Sequence, residues 1–138
     1  MPSIKILHSI AQAPLELFLH SHSPFLSRTF WLALENSGAV SSERGWWPQH
    51  LLLLDDEGQA MALLPLFIKN HNRGEYVFDH AWAQAYANNG LDYYPRLVSA
   101  VPFTPVTGPR VWLKAGVHLT DVLPFLLHGI QQIAEQLN

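Results

Sequence analysis

Cysteine is absent from the chain, so it has neither a disulfide framework nor a thiolate metal site. Charge is scarce: only 14% of residues are Asp, Glu, Lys or Arg, and the net charge is -3. The eight Lys and Arg residues are scattered and form no basic patch, which excludes nucleic-acid binding driven by phosphate neutralisation. Long uninterrupted apolar runs are missing from the N-terminus. There MPSIKILHSIAQAPLELF is broken by His8, Ser9, Gln12, Pro14 and Glu16, which fits neither a signal peptide nor a membrane span and predicts a cytoplasmic protein.

Several catalytic signatures are missing as well. No GxxxxGK[ST], GxGxxG or R-x-x-G-x-G segment is present to cradle a phosphate or a coenzyme pyrophosphate on backbone N–H groups, so no cofactor is expected within these residues. There is no GxSxG elbow for nucleophilic catalysis. Eight histidines invite a metal reading, but His20 and His22 stand two apart and His71 and His80 nine apart, without HExxH spacing. They read as loop and surface histidines, with no metal.

What is present is a chain of 138 residues, 49% hydrophobic, of the size of one globular domain (residues 1–138). So little surface charge leaves apolar area available to a second domain or a second copy.

Along the chain, Ser3 to Ile10 suits an opening strand, and Ala13 to Leu19 a short helix with Pro14 in its first turn. Ser27 is placed to cap a helix from Arg28 to Ser37, closed by Gly38. The apolar runs HLLLL, from His50 to Leu54, and AMALLPLFIK, within Gln59 to Lys69, joined by an acidic turn with Gly58, predict an antiparallel hairpin. Four consecutive leucines imply burial on both faces, hence a mid-sheet position, and Pro65 demands a bulge or an edge. Glu75 to Phe78 reads as a short extended piece, and Asp79 as the cap of a helix stopped at Asn89-Gly90. Strands are expected at 97–101 and 110–114. A final helix, capped by Thr120 or Asp121, carries a wide apolar face from Leu119 to Leu137, with Pro124 in its first turn. Strands, a hairpin and flanking helices make a mixed α/β (α+β) arrangement with a mostly antiparallel central sheet.

The segment from His71 to Arg110 departs from both simple periods. Seven aromatic residues are interleaved there with Glu75, Asp79, His80, Arg96 and Arg110, and a proline-punctuated run, PFTPVTGPR, follows. Asp79 with His80 reads either as an acid–base pair or as a helix cap beside a solvent histidine. Trp82, Tyr86, Tyr93 and Tyr94 read either as groove walls or as core packing with polar ends at the rim. The proline run could wall a cleft or serve as a rigid connection.

Three segments together carry a resemblance: SPFLSRTFWLALENSGAVSSERGWWPQHLLL, ALLPLFIKNHNRGEYVFDHAWAQAY and GLDYYPRLVSAVPFTPVTGPR. They are similar to the N-terminal part of the FemAB-like proteins, a bacterial peptidoglycan biosynthesis/recognition family grouped with GNAT-type N-acyltransferases. The chain departs from the family pattern at His80, where an aromatic residue is expected, and at Gln84, where an acidic one is. The resemblance implies a GNAT-like half-domain of a longer two-half enzyme, inactive alone, that transfers an acyl or aminoacyl group to an amine. Acyl-CoA or aminoacyl-tRNA would be the donor for the whole protein, a small molecule or peptide the acceptor, and a downstream half or second copy the partner. The residues expected on the acceptor side are Asp79 as the catalytic group, with Tyr76, Trp82, Tyr93, Tyr94 and Arg110 binding substrate. The alternative is a non-catalytic module that recognises a cell-wall peptide or a protein.

Overall fold

The computed structural model describes residues 1–71, 73 and 79–137. Among them the strands are β1 (Ser3–Leu7), β2 (Trp46–Pro48), β3 (His50–Leu54), β4 (Ala60–Leu64), β5 (Phe67–Lys69), β6 (Arg96–Val98) and β7 (Trp112–Leu113). The α-helices are α1 (Arg28–Asn36), α2 (His80–Asn88) and α3 (Leu119–Leu137), with short 3-10 turns between β1 and α1 and before β2. The architecture is mixed α+β. A four-stranded sheet has the order β1-β3-β4-β7 and a three-stranded sheet the order β2-β5-β6. Every pairing is antiparallel.

The two sheets are two ends of one bent hairpin. One arm runs through β2 and β3, the other through β4 and β5, and both swerve at Gln49 and at Pro65–Leu66. Proline has no N–H for a ladder, so the strand must break there. The neighbouring groups are satisfied locally. Gln49 N–H donates to the Leu66 carbonyl at 2.8 Å, and Leu66 N–H donates to His50 Nδ1 at 3.1 Å. At the far end Asp55 accepts from the N–H groups of Glu57 and Gln59, closing the acidic turn.

HLLLL lies mid-sheet, between β1 and β4, as its composition requires. Alternate side chains reach opposite faces. Leu52, Leu63 and Trp112 join a core with Trp31, Trp46 and Phe67. Leu51, Leu53 and Leu64 meet Val122, Leu126 and Ile133 of α3 on the other. Ser27 caps α1 as expected, its side chain accepting from Phe30 N–H.

Three local expectations are corrected. The short helix expected from Ala13 to Leu19 is a 3-10 helix confined to Leu15–Phe18, with Pro14 at its N-cap instead of in its first turn. The strands predicted at 97–101 and 110–114 shrink to Arg96–Val98 and Trp112–Leu113. Helix α3 starts at Leu119, so Thr120 and Asp121 lie inside its first turn, where Asp121 accepts from His118 N–H at 3.3 Å. Pro124 consequently sits beyond that turn, within the helix. The extended piece expected at 75–78 falls outside the described residues.

Candidate functional site

The irregular aromatic segment folds its polar groups onto one carboxylate. Tyr93 donates its hydroxyl to Asp79 Oδ2 at 2.7 Å, and Tyr94 donates to Oδ1 at 2.9 Å. Arg96 closes an ion pair on Oδ2, also at 2.7 Å. The rings pack edge to face: Tyr93 with Tyr94 at 4.9 Å between centroids and Tyr86 with Tyr93 at 5.2 Å. The Arg96 guanidinium stands 5.3 Å from the Tyr93 centroid and 5.7 Å from that of Tyr94. Asp79, Tyr93, Tyr94 and Arg96 are all half-buried.

Local structure explains the convergence. In a strand, neighbouring side chains would point to opposite faces, and Tyr93 and Tyr94 could not share a partner. Residues 91–94 belong to no regular element, which frees both phenols to reach Asp79. Asp79 itself occupies the N-cap position of α2, but its side chain makes no cap hydrogen bond. The capping reading therefore gives way: both carboxylate oxygens are committed to the tyrosines and Arg96 instead of to the helix N–H groups.

The electrostatics follow from the register of β5 and β6. Lys69 lies directly opposite Arg96, and opposed like charges on one sheet face repel. Lys69, wholly buried, places its ammonium 3.8 Å from the Trp46 ring centroid. Arg96 is neutralised by Asp79. Burial first, and then donation to Asp79, push the Tyr94 hydroxyl up to about 12. Tyr93 is raised for the same reasons. Both tyrosines are therefore neutral hydrogen-bonding groups at physiological pH, held in place by a carboxylate that is already fully engaged. Such a site can orient a polar ligand against an aromatic wall.

Two other expected residues, Trp82 and Arg110, have surroundings of their own. Trp82 lies on α2 and is 67% exposed, beside a helix with no buried residue. Arg110 donates to the carbonyls of Val106, Gly108 and Pro109, closing the proline run on itself. Tyr76 lies outside the described residues. Arg96 is the member that sequence reasoning did not put in the site; its spacing, two residues after Tyr94 across Pro95, is the one available signal. The proline run contributes to two clefts: Pro109 lines one beside β7, and Phe103, with φ of 64°, lines another near His71.

A second, half-buried carboxylate ties the scaffold. Glu35 accepts from the Ser9 hydroxyl at 2.6 Å and from Ile10 N–H at 2.8 Å, and His50 Nε2 stands 3.9 Å away. Here the carboxylate, not the imidazole, is the central group, so this is not a nucleophile–base–acid relay. Among the described residues no group of three or more His, Asp and Glu side chains could hold a metal ion, and no helix is long and apolar enough to cross a membrane.

No curated protein and no solved structure has significant similarity to the chain. The model of one family, described as peptidoglycan biosynthesis/recognition, matches residues 6–138 and thus nearly the whole sequence. On that match the chain belongs to the FemAB-like family, whose role is in cell-wall peptidoglycan.

Proposed function

We propose that the chain is the acceptor-side part of an N-acyltransferase, transferring an acyl or aminoacyl group to an amine in peptidoglycan metabolism. The observation supporting this reading is the convergence of Tyr93, Tyr94 and Arg96 on Asp79. Acyl transfer needs an amine held close to an activated carbonyl in a fixed orientation. Two neutral phenols locked by one carboxylate supply hydrogen-bonding groups of fixed direction, and Arg96 adds a cation beside them. Asp79 acts here by positioning, since its oxygens are already occupied by donors. Trp82 extends the aromatic wall, and Tyr76 and Arg110 are further acceptor-binding residues of the same proposal. The donor, acyl-CoA or aminoacyl-tRNA, would bind to a downstream GNAT-like half of the full-length protein or to a second copy.

The test is acyl transfer by the intact protein from a thioester or aminoacyl donor to an amine-bearing cell-wall peptide. Asp79→Ala is expected to lower turnover on the order of a hundredfold while the circular dichroism spectrum persists, because a displaced positioning group costs about that much. Unchanged turnover would remove the cluster from the mechanism. A non-catalytic recognition module is the second reading, favoured by the exposure of Trp82 and Tyr86 on a helix that buries nothing. Peptide binding without any transfer would establish it.

A further inference from the structure

We infer that the open edge of β7 is a binding site for an extended peptide, with one apolar side chain filling the adjacent cleft and a carboxylate at its basic rim. Three observations converge on it. First, among the described residues β7 ends the four-stranded sheet, pairing with β4 alone. Lys114 N–H donates to the Met61 carbonyl at 2.9 Å, so Lys114 and Met61 form a hydrogen-bonded pair of the ladder. In an antiparallel ladder such pairs alternate with pairs that are not hydrogen-bonded. Ala62 opposite Leu113 is therefore of the second kind, and the N–H and C=O of Leu113 point away from the sheet. An outward donor and acceptor on one residue are what an added strand engages.

Second, a cleft of about 490 Å³ lies along this edge. Leu17, Leu26 and Trp112 supply apolar lining, and the Trp112 indole N–H is already satisfied by the Leu26 carbonyl at 2.8 Å. The indole needs no polar partner from a ligand, so an apolar side chain fits there. Third, the rim carries the cation of exposed Lys114 beside the exposed imidazoles of His20 and His22, and among the described residues no acidic one lines the cleft. Charge complementarity selects a carboxylate there.

The pleat fixes which ligand residue does what. The residue opposite Leu113 exchanges two backbone hydrogen bonds with it, and the residue beside it faces the Trp112 side of the sheet and enters the cleft. The site is built from β7 and the loop after Leu17. It shares no residue with the Asp79 cluster and does not depend on acyl transfer there.

Acetylated aspartyl-alanyl-leucine amide is the probe: with its alanine opposite Leu113, antiparallel pairing sets the aspartate opposite Lys114 and the leucine opposite Trp112. It is compared with its asparaginyl analogue and with its analogue N-methylated at the central alanine. Binding to the intact protein is read by calorimetry, and by hydrogen exchange at residues 111–114. The aspartyl peptide is expected to bind and to protect the Leu113 amide. The N-methylated analogue should bind roughly ten-fold more weakly, one hydrogen bond's worth. The asparaginyl analogue, and the exposed-site variant Lys114→Ala, should each bind several-fold more weakly. The inference is overturned by no binding at millimolar peptide, by equal binding of the N-methylated analogue, by indifference to both the asparaginyl analogue and Lys114→Ala, or by protection on α2 instead of β7.

Discussion

Tyr94 and Asp79 carry a measurable signature. The Tyr94 hydroxyl is raised from 10.0 to about 12, by burial first and by its donation to Asp79 second. A raised folded-state value means the contribution to stability is complete below the unfolded value of 10.0 and is lost as pH climbs towards about 12. The ultraviolet absorbance of tyrosinate should therefore rise in separate steps, with Tyr94 among the last to ionise. Asp79→Ala should bring that last step down by removing the hydrogen-bond contribution and leaving burial in place; an unmoved step would mean that burial alone holds the phenol. The aromatic residues of this site were legible from composition. Their convergence was not, because it depends on an irregular backbone at 91–94 that no hydrophobic period encodes. The capping reading of Asp79 failed for a related reason: the three donors from 93, 94 and 96 are distant in sequence and outcompete the local N–H groups. Gly45 offers a second test at this scale. Its φ is 80°, and a Cβ built there would stand 2.5 Å from His71 Nε2, whereas Gly38, at φ of 77°, has open space. Gly38→Ala should cost about 1–2 kcal/mol from backbone strain alone, and Gly45→Ala clearly more. Equal losses in urea denaturation would show that the His71 ring simply moves aside.

The helices show why an apolar stripe read from sequence overstates burial. The wide face assigned to α3 is real as a pattern, yet only part of it meets the sheet: Val122, Leu126 and Ile133 are buried, while Leu119, Leu123 and Leu127 are exposed. Sequence periodicity identifies the face; the angle at which the helix crosses β3 decides how much of it is covered. Gly129 sets that approach, its missing side chain admitting Leu51, whose Cδ1 would lie 3.0 Å from a Cβ there. Leu126→Ala should accordingly cost about 2–5 kcal/mol, and Leu127→Ala, at 54% exposure, within about 0.5 kcal/mol. Urea midpoints for the two variants check this, and a large loss at Leu127 would reveal a partner covering that stripe. Helix α2 is the opposite case. It has nine residues and none buried, below the roughly 12–15 residues an isolated helix needs to persist in water. Its attachment includes Asp79 and the Tyr86–Tyr93 contact. Amides of α2 should exchange through local opening far faster than those of β3, and faster still in Asp79→Ala. Matching protection for α2 and β3 would mean that the helix is covered in solution.

At the scale of the whole molecule, one bent hairpin carries the centre of both sheets, and the tie at its bend is polar. The hairpin was legible because its two apolar arms flank an acidic turn, and so was the break at Pro65. That the arms continue into a second sheet was not, since it depends on His50 and Gln49 satisfying the backbone of Leu66. Glu35 secures the same region from α1, holding Ser9 and Ile10 with its two oxygens beside the His50 ring. Burial pushes its carboxyl up, but the His50 ring, the Ser9 hydroxyl and the Ile10 N–H outweigh that and hold it below its ordinary 4.5. A lowered folded-state value stabilises the fold above the unfolded value and loses that contribution as pH falls through the folded one. Glu35→Gln keeps the shape but removes the charge, and turns an amide N–H₂ towards groups that need an acceptor. It should cost about 1–3 kcal/mol at neutral pH. Measured by urea unfolding, the gap between the two proteins should then narrow as pH drops below 4.5, because the wild-type carboxyl loses its charge while the amide does not change. A gap that stays constant into acid would mean that Glu35 acts through packing alone, and that the hairpin bend is held without it.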